Sequence, residues 1–174
     1  MILLLKCFLG MLISFVIALI IGFIIIPKLK KFKASQTLSI YLEERHSSKK
    51  GTPTLGGLIF IFSTLLTLLM MIIFNKLELT YNLLIILVAF LGYAAIGFLD
   101  DYLIIKRHNN KGLTEKQKLL LQIVVASIFF ALFLLEGHEP VILIHSLDLK
   151  INIGFLYGFF IMFILLASSN AVNL

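Results

Sequence analysis

The chain has one cysteine, Cys7, no tryptophan, three prolines and only nine acidic residues among 174. A lone cysteine excludes an internal disulfide framework, and no His lies at ligand spacing from it, so the sequence offers no Cys/His metal cluster. Charge of either sign is scarce. Asp, Glu, Lys and Arg make up 14% of the chain, against about 25% in soluble domains. What is there instead is hydrocarbon: 60% of the residues are hydrophobic and the mean hydropathy is +1.08. This excludes an ordinary soluble domain and places the chain in a membrane. The excess of 15 Lys and Arg over 9 Asp and Glu would suit nucleic acid in a soluble protein. Here the placement of the cations matters more than their sum, and no nucleic-acid partner is expected.

Five apolar runs, at residues 2–26, 55–74, 82–99, 119–135 and 154–169, approach the ~20 residues needed to cross a hydrocarbon core. The first is too long for the apolar region of a signal peptide and has no small-residue cleavage site, so it is read as a retained span. All Lys and Arg except Lys6, Lys76 and Lys150 fall in two connections, 27–54 and 100–118. The positive-inside rule makes those connections cytoplasmic and puts the N-terminus outside. The expected fold is all-α: a single integral-membrane domain over 1–174 with five transmembrane helices. The segment "VILIHSLDLKINI" (141–153) alternates apolar and polar residues in its second half. It predicts a short β-hairpin on the extracytoplasmic side.

The polar residues that hydropathy does not explain gather at the cytoplasmic ends of these runs. In "HSSKKGTPTLGGLIF" (46–60), Thr52 or Thr54 is a candidate cap for the second span, with Pro53 in its first turn. Free helix N–H groups beside Lys49 and Lys50 suit a phosphate, while juxtamembrane lysines touching anionic headgroups are the plainer reading. Asp100 and Asp101 close the third run. Carboxylates at the edge of hydrocarbon are costly, and the helix macrodipole opposes negative charge at a C-terminus. Adjacent helical residues point about 100° apart, so the two acids should serve different partners. One could bind Mg²⁺ while the other acts as a base or orienter; ion pairing with Lys106, Arg107 or Lys111 is the structural alternative. Thr114 and Gln117 form a predicted capping box at the fourth span, surrounded by Lys111, Lys116 and Lys118. Lys116 and Lys118 do not share a helical face, so at most one should enter a common pocket. The four histidines, His46, His108, His138 and His145, are read as structural or solvated. The last segment, "LLASSNAVNL" (165–174), places Asn170 and Asn173 at the cytoplasmic mouth of the fifth run. Cations, carboxylates and carboxamides on one membrane face suit phosphoryl transfer between a soluble and a membrane-held substrate, which is chiefly positioning and charge neutralisation.

Together "KKGTPTLGG", "GFLDDY", "NNKGLTEKQKLLLQ" and "NAVNL" resemble the motifs of the phospho-N-acetylmuramoyl-pentapeptide transferase family. That family belongs to the polyprenyl-phosphate N-acetylhexosamine-1-phosphate transferases. The resemblance implies a Mg²⁺-dependent enzyme of the bacterial inner membrane. It would move phospho-MurNAc-pentapeptide from UDP-MurNAc-pentapeptide to undecaprenyl phosphate, giving lipid I and UMP. By the same resemblance Lys49 and Thr54 contact nucleotide or diphosphate. Asp100 is the base or orienter of the lipid phosphate, and Asp101 supports substrate or metal. Lys111, Lys116 and Lys118 bind diphosphate, and Asn170 and Asn173 belong to the polar core of the site. A homodimer is among the arrangements it allows.

Two departures carry expectations. Ile104 stands where family members often have a lysine four residues after the first aspartate, with Lys106 two residues off. The Thr-Asp-Gly continuation of the asparagine motif, the main metal-binding aspartate and a histidine-rich loop are expected beyond residue 174. The chain therefore reads as the N-terminal half of a ten-helix enzyme, inactive alone. A sibling transferase using UDP-GlcNAc is the nearest alternative. A transporter would require ionisable residues at mid-span, and a non-catalytic scaffold would leave four polar motifs unexplained.

Overall fold

A computed structural model of the chain describes residues 2–31, 55–107 and 112–171. Five α-helices, α1 (Ile2–Lys31), α2 (Gly57–Ile73), α3 (Tyr81–Arg107), α4 (Glu115–Leu135) and α5 (Leu156–Ala171), make up most of it. α1, α3 and α4 are long and apolar enough to cross a membrane, whereas α2 and α5, with 17 and 16 residues, are shorter apolar helices. Strands β1 (Val141–Ile144) and β2 (Leu149–Asn152) form the expected hairpin. They pair antiparallel from Val141 with Asn152 to Ile144 with Leu149. A single 3₁₀ turn, His145–Leu147, joins them, and Asp148 closes it at φ 47°, a left-handed conformation that Asp tolerates better than most residues.

Surface and interior are inverted relative to a soluble domain. Phe23, Leu135 and Phe163 are 70–82% exposed, while Ser63, Thr67, Gln122 and Ala126 are buried. Buried polar groups in such helices need internal partners. Ser63 Oγ donates to the Phe60 carbonyl at 3.1 Å and Thr67 Oγ1 to the Ser63 carbonyl at 2.7 Å, each within α2.

Three expected boundaries shift. α1 does not stop at Ile26 but continues through Pro27 to Lys31. Proline removes one helical hydrogen bond, which apolar membrane helices accommodate more readily than soluble ones. α3 runs past the two aspartates to Arg107. Asp100 and Asp101 therefore sit inside the helix, and Lys106 and Arg107 in its last turn provide the charge that a helix C-terminus favours. α2 begins after Gly56, which makes no side-chain cap bond. The expected caps Thr52 and Thr54 lie outside the described residues.

The chain divides into two compact units. The first comprises residues 1–79 with 97–113, and the second 80–96 with 114–174. In the first, α1 packs on α2. In the second, α4 packs on α5, and Gly92 of α3 meets α4 so closely that a Cβ there would stand 2.7 Å from Val125 Cγ1. A side chain at this point would have to displace Val125. His138 lies over Phe133, ring centroids 4.8 Å apart, and its Nε2 is 2.6 Å from Asn82 Oδ1.

α4 starts as its sequence prescribes. Thr114, extended at φ −67° and ψ 155°, accepts from Gln117 N–H through Oγ1 at 3.3 Å, and Gln117 Oε1 accepts from Thr114 N–H at 3.0 Å. Thr114→Ala removes one half of this box and is expected to destabilise the protein by about 1 kcal/mol. A lowered thermal midpoint in detergent, with unchanged helix content, is the measurement that checks it.

Candidate functional site

The first unit holds the two aspartates, each tied to a different segment. Asp100 Oδ1 accepts the N–H of Leu113 at 2.8 Å, and Asp101 Oδ2 accepts the N–H of Leu55 at 2.8 Å. Their angular separation on α3 makes this division of labour possible: one side chain reaches the residues before α4, the other the residues before α2. Charged acceptors make the stronger kind of hydrogen bond, and these are part-buried. Arg107 Nη1 adds a bond to the Gly112 carbonyl at 3.1 Å, so α3 holds residues 112–113 from two directions.

Two backbone features show how tightly this is built. Leu55 has φ 65°, a conformation that costs a branched residue about 1–3 kcal/mol and persists only where surroundings impose it. The bond from its N–H to Asp101 is part of that imposition. Gly112 lies against Asp100: a Cβ added there would overlap the carboxylate Oδ1 and stand 2.9 Å from both its Cγ and its backbone oxygen. Only glycine permits this approach.

The groups here whose chemistry suits a cation are the carboxylates of Asp100 and Asp101, which also bond two different segments. Mg²⁺ commonly takes one or two carboxylates from protein and the remainder from substrate phosphates and water, so the donor set fits that ion. Among the described residues no group of three or more His, Cys, Asp or Glu could hold a metal by itself.

The second unit holds a cavity of about 810 Å³ lined by α4 (Glu115, Lys118, Leu119, Gln122) and α5 (Ala167, Asn170, Ala171). The α4 residues recur at i, i+3, i+4 and i+7 and form one stripe of the helix. Lys118 therefore enters this cavity, whereas Lys116 is exposed and absent from its lining. At the cavity Asn170 meets Gln122: Asn170 Nδ2 donates to Gln122 Oε1 at 3.0 Å, and Gln122 Nε2 lies 3.4 Å from Asn170 Oδ1.

The sequence model of glycosyl transferase family 4 matches residues 83–174, more than half of the chain. The chain belongs to this family. It is similar to three curated proteins, each named phospho-N-acetylmuramoyl-pentapeptide-transferase. That of Bacillus pumilus is 40% identical over 162 residues, covering 92% of this chain and 49% of its own length. The Oceanobacillus iheyensis protein is 35% identical over 162 residues (93% and 50%), and the Staphylococcus aureus protein 40% over 166 (94% and 51%). The chain spans about half the length of the curated relatives it matches.

The part matched by glycosyl transferase family 4 contains Asp100, Asp101, Lys116, Lys118 and Asn170. Among the described residues, the structure brings Lys118 and Asn170 to one cavity and Asp100 and Asp101 to one stretch of α3. Lys49, Thr54, Lys111 and Asn173 lie outside the described residues. Two residues that shape these sites went unassigned at the level of sequence. Gln122 is an uncharged amide inside the run 119–135, and its isolation among Leu, Ile and Val was the available signal. Gly112 was legible only as a residue near a helix start.

Proposed function

We propose that the chain contributes to a phospho-N-acetylmuramoyl-pentapeptide transferase at the cytoplasmic face of the bacterial inner membrane, with its N-terminus on the outer side. An oxygen of undecaprenyl phosphate attacks the sugar-bearing phosphorus of UDP-MurNAc-pentapeptide. The bond from that phosphorus to the bridging oxygen breaks, lipid I forms and UMP leaves. The observation that carries this reading is the adjacent pair Asp100 and Asp101 in an apolar helix, each with an oxygen held by the N–H of a different segment. Both carboxylates are oriented before substrate arrives, which suits a reaction governed by positioning. Similarity to the named relatives over more than nine-tenths of the chain supports the same chemistry.

Asp100 orients the lipid phosphate or takes its last proton, and Asp101 holds the opposite segment and supports substrate or metal. Mg²⁺, when bound, would neutralise charge on the diphosphate, and Asp101 is the described residue that would help to hold it. Lys118 offers a cation to phosphate oxygens from the cavity wall. Lys49, Thr54, Lys111, Lys116 and Asn173 take nucleotide and diphosphate roles by motif.

The test is UMP release by the complete gene product in membranes supplied with UDP-MurNAc-pentapeptide, undecaprenyl phosphate and Mg²⁺. Turnover should require all three and fall to background on chelation. Equal use of UDP-GlcNAc would move the protein to the sibling branch, and no turnover with either sugar would overturn the transferase reading. Because the relatives are about twice as long, residues 1–174 expressed alone are expected to release no UMP.

A further inference from the structure

Gln122 is 4% exposed, in an apolar helix where an amide without partners would be costly. Its hydrogen bonds form a chain whose direction the chemistry fixes. The Leu166 carbonyl can only accept, so the Asn170 atom 2.8 Å from it is Nδ2. Ser169 Oγ gives its single proton to that same carbonyl at 3.1 Å, so toward Gln122 it can only accept. The Gln122 atom 3.1 Å from Ser169 Oγ is therefore Nε2, which turns Oε1 toward Asn170 Nδ2 at 3.0 Å. The backbone is held as well, since Tyr93 Oη donates to the Gln122 carbonyl at 3.4 Å.

The consequence falls on Asn170. One of its N–H bonds goes to Leu166 and the other to Gln122, while Oδ1 accepts from Gln122 Nε2 at 3.4 Å and keeps its second lone pair for a ligand entering the cavity Asn170 lines. We infer that Gln122 is a positioning residue that locks the Asn170 carboxamide with both donors engaged. Asn170 then meets its ligand only as an acceptor, and the group it recognises is a hydroxyl, an amide N–H or a bound cation rather than a phosphate oxygen. This rests on the reading above that Asn170 belongs to the site.

Gln122→Met keeps the length and volume of the side chain while removing the three hydrogen bonds of its amide. Gln122→Glu, which keeps an acceptor toward Asn170 Nδ2, serves as the second variant should the apolar one fail to accumulate in membranes. UMP release is measured for the complete gene product carrying the Gln122 variant, Asn170→Ala, and both together. The single Gln122 variant is expected to lose about tenfold to a hundredfold in turnover, the range for a misplaced contact group. The double variant is expected to match Asn170→Ala alone, because a residue acting through Asn170 has nothing left to position. Equal fold-losses in both backgrounds would make Gln122 merely structural and overturn the inference. Full activity of the Gln122 variant beside an impaired Asn170→Ala would overturn it while leaving the site reading intact. Full activity of Asn170→Ala would overturn both.

Discussion

Asp100→Asn in the complete gene product is expected to lower UMP release by about 10²–10⁴-fold, the usual weight of a positioned acid or base. The substitution keeps the shape of the side chain and removes its charge. An asparagine carbonyl can accept the Leu113 N–H that Asp100 Oδ1 accepts at 2.8 Å, so residues 112–113 should stay where they are. What disappears is the negative charge. A large loss of turnover with an unchanged thermal midpoint would therefore assign that charge to the reaction. If turnover survived and only Asp100→Ala were damaging, Asp100 would be a strut for the segment before α4, and its proposed role toward the lipid phosphate would fail.

Gly112→Ala approaches the same carboxylate from the opposite side. The new methyl group would overlap Asp100 Oδ1 and stand 2.9 Å from the Asp100 backbone oxygen. A flexible side-chain tip could yield, but a helix carbonyl is fixed by its own neighbours, so the segment carrying Gly112 and Leu113 must move. That displacement breaks or lengthens the Leu113 bond and releases the Asp100 side chain. Turnover is expected to fall about 10²-fold, as misplacement of a reacting group by an ångström can cause. In an Asp100→Asn background the same substitution should cost little more, because the group it displaces is already disabled. Wild-type turnover in Gly112→Ala would mean that close packing of this segment on Asp100 is irrelevant to the reaction.

The site was legible in the sequence to different depths. Asp100 and Asp101 stood out because charge in an apolar run has a large free-energy cost and needs a reason. The capping box of Thr114 and Gln117 was readable because its partners are three residues apart. The hairpin at 141–152 was readable because strand pairing over a four-residue connection is also local. The apolar run at 82–99 and the helix that carries it, Tyr81–Arg107, end at different residues. Hydropathy marks where apolar residues stop, whereas a helix continues as long as its backbone bonds and terminal charges favour it, here to Arg107. Gln122 passed without a role because polarity alone does not name a partner 48 residues away.

What the sequence by itself determined was therefore everything set by composition and short-range order: apolar helices, the distribution of cations between connections, the helix start at Thr114 and the pairing of two acids. These follow from burial and from bonds between residues within about a turn of each other. Only the tertiary structure decided which N–H each aspartate holds, that Gly112 must lack a side chain, and that Gln122 bonds Asn170. Those are contacts across tens of residues. Their register is set by how helices pack against one another, and the periodicity of a single helix carries no record of it.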